Sequence, residues 1–350
     1  MVYVDSNVMN TYRVKFHDER KNILRLDMNE NPEGLPAEFV SSLKEKITPE
    51  FIATYPEKDR ITTLLAKHNK INPENISVTC GSDEAMRLIF QCFGEEGKEL
   101  VTVLPTFEMY DVYANMFGMH HIFAEYNKDF TISIDTILNS INKNTGLVIL
   151  LNPNSPIGTC WTETEVRHVI EKAADVGALV VVDEAYHYFC KNTFINLIKE
   201  YDNLLVLRTF SKVFSCAGLR IGYVSGNEEL IHYIENAEST FNVNSVAILF
   251  AEELMKHPEM IDNLVNIERE GHDWLTHKLI DAGYSVYSNE GNYILFKPHK
   301  PSADVVSELK EKHNVWIRDY SRGVLEGWIR VSTGSKKCME IFWDALSQIG

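Results

Sequence analysis

Two short runs made entirely of apolar residues and glycine, Gly146–Leu151 and Ala178–Val182, constrain this chain more than any other feature. Their Val, Ile and Leu residues do not alternate with polar ones, a pattern that suits strands buried on both faces. Such strands need helices above and below. Between the two runs, Thr162 to Val176 has helical spacing, with Thr162 placed as an N-cap and Glu165 as its capping-box partner. The same alternation recurs nearby. Asn75–Cys80 reads as a strand, Glu84 to Phe93 as a helix, and Glu99 to Leu104 and Asn203 to Leu207 as further strands. The pattern predicts an α/β fold with a largely parallel sheet.

At 350 residues the chain is long for a single core, so two lobes are expected. The texture changes after about residue 245. Val246 to Ala282 reads as one long charged helical stretch. It is followed by strand-like Tyr284–Tyr287 and Tyr293–Phe296, a helix near Ser302–His313, strand-like Val315–Arg318 and Trp328–Val331, and a last helix from about Lys337. This is a small α+β unit. Residues 1–35 are polar, with a turn-like stretch from Asn29 to Gly34, and read as an extended arm. The expected division is an arm at 1–35, a large domain at 36–244 and a small domain at 245–350. No repeat or flexible linker interrupts the chain, so the lobes are expected to pack together.

A formal net charge of −16 argues against a basic nucleic-acid footprint, although a few arginines in a cleft can still hold a small anion. No two of the six cysteines (80, 92, 160, 190, 216, 338) have CxxC spacing, so neither a zinc site nor a dithiol motif is indicated, and all six read as reduced thiols. The first fifteen residues lack the apolar segment of a secretion signal. The longest apolar runs are about five residues, against the roughly 20 that span a bilayer. The expected location is the cytoplasm.

Four segments carry chemistry. Thr209–Lys212, followed by Gly218–Gly222, puts a lysine after a strand, where α/β folds place ligands. Ser211 and Arg220 beside it suit a phosphate. Taken alone, Lys212 reads more readily as a solvated surface lysine, and it is the neighbours that favour the ligand reading. Asp183 ends a buried strand, where a carboxylate needs a cation or hydrogen-bond donors. It could instead cap the next element. Asn152–Gly158 forms a rigid turn that could hold an amide side chain at the sheet edge or serve structure alone. Thr79–Glu84 passes from strand to helix, and Gly81 allows close approach to the amides of the helix start.

Taken together, these segments resemble the fold-type I pyridoxal-phosphate-dependent aminotransferases, and within them the histidinol-phosphate aminotransferases. The resemblance runs from about Leu26 to Gly334. It includes LDMNENPEG (26–34), TYPE (54–57), GSDEAMRL (81–88), PTFEMY (105–110), NPNSPIG (152–158) and VVDEAYHYF (181–189). It continues through LRTFSKVFSCAGLRIGY (207–223), FNVNSVA (241–247), GNYILF (291–296), VWIRD (315–319) and IRVSTG (329–334). The order and spacing of so many blocks make the likeness specific.

The resemblance implies a large domain with a mostly parallel, seven-stranded sheet covered by helices, plus a smaller α+β domain built from the C-terminal part and the arm. It implies pyridoxal phosphate bound to Lys212 as a Schiff base. Asp183 would pair with the ring nitrogen, Asn154 and Tyr186 would bond the phenolic oxygen, and Phe107 would stack on the ring. The Ser82 and Asp83 amides with Ser211 and Arg220 would hold the phosphate, joined by Tyr55 from the second subunit of a homodimer. Tyr12, Arg318 and Arg330 would line the substrate region. The implied activity moves an amino group from a phosphorylated amine, histidinol phosphate or a related compound, to 2-oxoglutarate. A decarboxylase of a phosphorylated amino acid, a broad-specificity transaminase and a non-catalytic binding module are the competing readings. The chain departs from the family pattern in the Ser155–Gly158 turn, at Asn10–Thr11 before Tyr12 and in the short loop ending at Gly327–Trp328, all near the expected substrate position.

Overall fold

The computed structural model describes residues 2, 4–11 and 20–349. The predicted buried strands form the centre of a seven-stranded sheet. In chain order they are β1 (Ile76–Thr79), β2 (Glu99–Leu104), β3 (His120–Glu125), β4 (Thr145–Leu151), β5 (Leu179–Asp183), β6 (Leu204–Thr209) and β7 (Gly222–Ser225). Their spatial order is β1-β7-β6-β5-β4-β2-β3. Strands β2 to β6 pair in parallel, while β7 runs antiparallel between β6 and β1. All residues of β5 and β6 are buried, as expected of strands covered on both faces.

The crossover helices follow local signals. Helix α1 (Gly81–Phe93) leaves β1 directly, and α2 (Met109–Met116) follows β2. Between β4 and β5, α3 (Glu163–Ala174) begins with the expected capping box. Thr162 accepts from the Glu165 amide, and Glu165 returns to the Thr162 amide. Val166, Val169, Ile170 and Ala173 then form the buried stripe of α3.

The single helical stretch expected from Val246 to Ala282 is corrected to two helices, α4 (Ser245–Met255) and α5 (Pro258–Asp281). Pro258 cannot donate to the preceding turn, so it opens a new helix at its first position. Helix α5 spans both hydrophobic cores. Ile261, Leu264 and Val265 join the core around the large sheet. Leu275 and Leu279 join a second core with Leu26, Ile294, Phe296, Val331 and Phe342. The second core lies against an antiparallel four-stranded sheet of β8 (Ser285–Tyr287), β9 (Tyr293–Lys297), β10 (Arg318–Asp319) and β11 (Ile329–Ser332), in the order β10-β11-β9-β8. The predicted strand Val315–Arg318 is divided. Val315–Trp316 pairs in parallel with Leu24–Arg25 of the arm, whereas Arg318 begins β10.

The expectation of six reduced thiols is also corrected. Cys160 and Cys190 are joined in a disulfide with their Cα atoms 6.5 Å apart. They lie 30 residues apart in sequence, but each follows one of the neighbouring parallel strands β4 and β5, whose loops leave the same sheet edge side by side. Among the described residues, no helix is long and apolar enough to cross a membrane.

Candidate active site

The C-terminal ends of β4, β5 and β6 carry Asn154, Asp183 and Lys212 to one edge of the sheet. Asp183 is buried, and the Tyr110 hydroxyl of α2 donates to its Oδ2 at 2.9 Å while the Ala185 amide donates to Oδ1 at 3.1 Å. Burial nevertheless pushes the carboxyl up to about 6, against the lowering effect of these two bonds and of the Lys212 charge. The Tyr110 phenol rises well above its ordinary value through burial and the neighbouring Asp183, so it remains a donor.

Lys212 Nζ donates to the Met28 carbonyl at 3.0 Å and lies 5.3 Å from the centre of the Tyr186 ring. Tyr186 is held in turn by Asn29, whose Nδ2 donates to the phenol oxygen at 2.9 Å. The orientation of the Asn29 amide follows from Ser332, which accepts from the Asn29 backbone N–H and donates to Oδ1 at 3.1 Å. Since Asn29 donates to the Tyr186 oxygen, the phenol proton is free to point into the site. Asn154 takes a hydrogen bond from Thr106 at 2.7 Å, and its Nδ2 reaches the Pro105 carbonyl at 2.9 Å and the Tyr126 oxygen at 3.2 Å.

A cradle for an anion lies at the start of α1. No side chain caps this helix. The Asp83 carboxylate is turned aside to accept from Tyr113 at 2.8 Å, which leaves the first amides for a ligand. Arg220 closes the other side, its Nη1 donating to Ser211 Oγ at 3.4 Å and to the Ala217 carbonyl at 3.1 Å. Glycines make this approach possible. A Cβ on Gly81 would fall 2.7 Å from Arg220 Nη2. One on Gly222 would fall 2.7 Å from both the Ser82 nitrogen and the Arg208 carbonyl, backbone atoms that cannot swing away. Gly222→Ala is therefore expected to cost ~2 kcal/mol of stability, the scale of an overpacked site, as measured by urea unfolding. An unchanged midpoint would show that the cradle has slack.

At the mouth, Arg318 and Arg330 are register partners on β10 and β11, so their side chains share one face of the small sheet. Arg330 is 8% exposed; its Nη2 donates to the Asp27 carbonyl, the residue before the Met28 that receives Lys212. Its Nε has no partner among the described residues. Arg318 Nη2 meets Glu108 Oε1 at 2.5 Å. Phe107 is 44% exposed and packs edge-on against Tyr110, with ring centres 5.5 Å apart.

Thus Lys212, Asp183, Tyr186, Asn154, Ser211, Arg220, Phe107, Arg318, Arg330 and the Ser82–Asp83 amides converge on one site. Tyr55 stands apart from it, 73% exposed and stacked on Phe241 at 4.2 Å. Tyr12 lies outside the described residues. Sequence reasoning missed Asn29, Tyr110, Thr106 and Glu108. Asn29, Thr106 and Tyr110 act on other site residues across the fold, and all four lie inside quoted blocks, Asn29 in LDMNENPEG and the others in PTFEMY, although nothing local shows which partner each reaches. It also missed Glu268, buried against Asn292 and pushed up to about 8 by that burial.

Comparison with known proteins fits this geometry. Residues 21–346 match the family model of aminotransferase class I and II. The histidinol-phosphate aminotransferase of Caldanaerobacter subterraneus subsp. tengcongensis is 32% identical over 338 residues, covering 93% of this chain and 92% of its own. The crystal structure of histidinol-phosphate aminotransferase from Sinorhizobium meliloti, in complex with pyridoxal-5'-phosphate, superposes with a TM-score of 0.83 at 20% identity, covering 93% of this chain and 91% of that one. L-threonine-O-3-phosphate decarboxylase from Porphyromonas gingivalis gives a TM-score of 0.79 at 25% identity, covering 93% and 99%.

Proposed function

This chain belongs to the class I and II aminotransferases, and from that premise we propose that it moves an amino group from a phosphorylated amine, histidinol phosphate or a close relative, to 2-oxoglutarate. The enzyme is a pyridoxal-phosphate-dependent aminotransferase. The observation that carries the substrate reading is the paired Arg318 and Arg330 at the mouth, an anion site separate from the cradle of Gly81, Ser211 and Arg220. Guanidinium pairs suit bidentate phosphate or carboxylate binding. The name of the 32% identical relative supports the same reading.

The residues present fit the cofactor. Asp183 is a buried carboxyl whose hydrogen bonds come from a phenol and an amide, neither of them a cation. Its raised pKa marks a place where a protonated ring nitrogen would hold it ionised. Ser211, Arg220 and the Ser82 and Asp83 amides would take the phosphate, Tyr186 the phenolic oxygen together with Asn154 once its Nδ2 releases the 3.2 Å bond to the Tyr126 oxygen, and Phe107 one ring face. When bound, pyridoxal phosphate supplies an electron sink for the bonds at the substrate's α-carbon. Lys212 Nζ would take the proton from that carbon and pass it to the cofactor, and would carry a proton back from the cofactor to carbon when the oxo acid is aminated. The Met28 carbonyl and the Tyr186 ring hold Nζ in position for this. Asn29 keeps the Tyr186 hydroxyl donating inward. Arg330 and Arg318 orient the substrate's anionic end. The exposed Tyr55–Phe241 stack supports a homodimer in which Tyr55 reaches the neighbour's cofactor phosphate.

The test is the absorbance spectrum of the purified enzyme before and after adding histidinol phosphate without an oxo-acid acceptor. The visible cofactor band is expected to collapse and to return when 2-oxoglutarate is added. A band unmoved by the amine would sink the substrate reading. The likeness to the Porphyromonas gingivalis decarboxylase supports a second reading, decarboxylation of a phosphorylated amino acid. Carbon dioxide released from threonine phosphate with no acceptor present would favour it.

A further inference from the structure

The mouth of the site holds one acidic group that the exchange of amino groups does not require. Glu108 stands at the N-cap position of α2, immediately after Phe107, where its side chain makes no capping bond, and belongs to the large sheet's side of the cleft. Its Oε1 accepts from Arg318 Nη2 at 2.5 Å, a contact between residues 210 apart in sequence. Glu108 and Arg318 are 63% and 38% exposed, so the pair lies open to an incoming ligand and is not sealed in the core. Arg330, beside Arg318 in register, is buried and already engaged with the Asp27 carbonyl. Arg318 is thus the more accessible of the two guanidiniums, and a carboxylate of the protein itself occupies it.

An anionic substrate end approaching Arg318 meets Glu108 first. A phosphate dianion must either displace that carboxylate or sit beside it, and the repulsion grows with the charge of the incoming group. A singly charged or neutral end meets a smaller penalty. On the reading of the function given above, we propose that Glu108 is a specificity-determining residue: it competes for Arg318 and sets how strongly the site discriminates between doubly charged, singly charged and neutral substrate ends. Its effect weakens with added salt because the pair is exposed.

The proposal predicts the behaviour of Glu108→Gln, which keeps the side-chain shape and removes the charge. The probe is inorganic phosphate, titrated calorimetrically into the holoenzyme at low ionic strength, where the cofactor already fills the other cradle. The dissociation constant is expected to fall roughly fivefold in Glu108→Gln. With Arg318→Gln as background, adding Glu108→Gln is expected to change it little, because the competition has been removed. Equal affinities in wild type and Glu108→Gln would overturn the proposal, as would a gain that persists undiminished without Arg318. The amine half-reaction with histidinol phosphate is measured on the same samples. If neither protein reacts but phosphate affinity shifts as described, the substrate reading fails while the role of Glu108 stands. If both react and the affinities are equal, the reverse holds.

Discussion

On the role proposed for Lys212, Lys212→Ala is expected to lower the rate of amino-group exchange by at least ~10³-fold with every donor, the scale of losing a positioned proton carrier together with a covalent anchor for the cofactor. The expectation rests on position as much as on residue type. Lys212 follows β6, its Nζ is tied to the Met28 carbonyl at 3.0 Å, and Tyr186 lies beneath it at 5.3 Å from the ring centre. A lysine elsewhere in the cleft would lack this placement. Stopped-flow measurement of the half-reaction reads the effect directly. The visible band of the purified protein should shift as well, because the cofactor would be held without its bond to the chain. Stability should change by less than ~1 kcal/mol, since Lys212 is only part-buried and, among the described residues, its hydrogen bond goes to a carbonyl. A variant retaining a tenth of the wild-type rate would remove Lys212 from the proton-transfer role.

Breaking the buried pair Arg208–Glu184 costs ~3–5 kcal/mol, a large share of the roughly 5–15 kcal/mol by which a folded domain outweighs its unfolded chain. Glu184 is fully buried and Arg208 is 4% exposed. Every arm of the network is used. Arg208 Nε donates to Glu184 Oε2 at 2.9 Å, Nη1 to Asn69 at 2.5 Å and Nη2 to Thr193 at 2.7 Å. Glu184 also accepts from the Phe194 amide at 2.6 Å and from Thr193 at 2.9 Å. Glu184→Ala would leave a guanidinium in the core with no counter-charge. Arg208→Met would strand a carboxylate. The double change Glu184→Leu with Arg208→Met should cost less than the sum of the single changes, because no unpaired charge remains. Urea unfolding of the cofactor-free protein checks all three. A single-variant cost under ~1 kcal/mol would mean that the charge finds water or another partner. The pair also bears on function. Glu184 adjoins Asp183 and Arg208 lies four residues before Lys212, so the network fixes the two strand ends that carry the chemistry.

Much of this site was legible from local pattern. The capping box at Thr162 and Glu165 formed as read, because a cap depends only on residues three apart. The apolar runs became β4 and β5 because unbroken Val, Ile and Leu residues report burial on both faces. Asp183 and Lys212 followed, since each ends a segment whose type was already clear. Pro258 carried a stop signal too, and reading one helix through it overrode a breaker with a periodicity that happened to continue on both sides.

Other features had no local signature. The antiparallel β7, inserted between β6 and β1, depends on which strands pair, and a strand's own residues do not name its neighbour. Cys160 and Cys190 meet because β4 and β5 are adjacent, not because of their spacing. Asn29 reaches Tyr186 across 157 residues, and Glu108 reaches Arg318 across 210. Hydrophobic periodicity, caps and turn chemistry are properties of a few consecutive residues, so the chain alone determined β1, β2, β4, β5 and β6 of the large sheet, the helices with clear periodicity or caps and the residue types at the strand ends, whereas β3, β7 and α2 went unread. The reach of Asn29 to Tyr186, of Arg330 to the Asp27 carbonyl and of Arg318 to Glu108 arose only when sheet order and the packing of the two cores brought distant segments within hydrogen-bond reach.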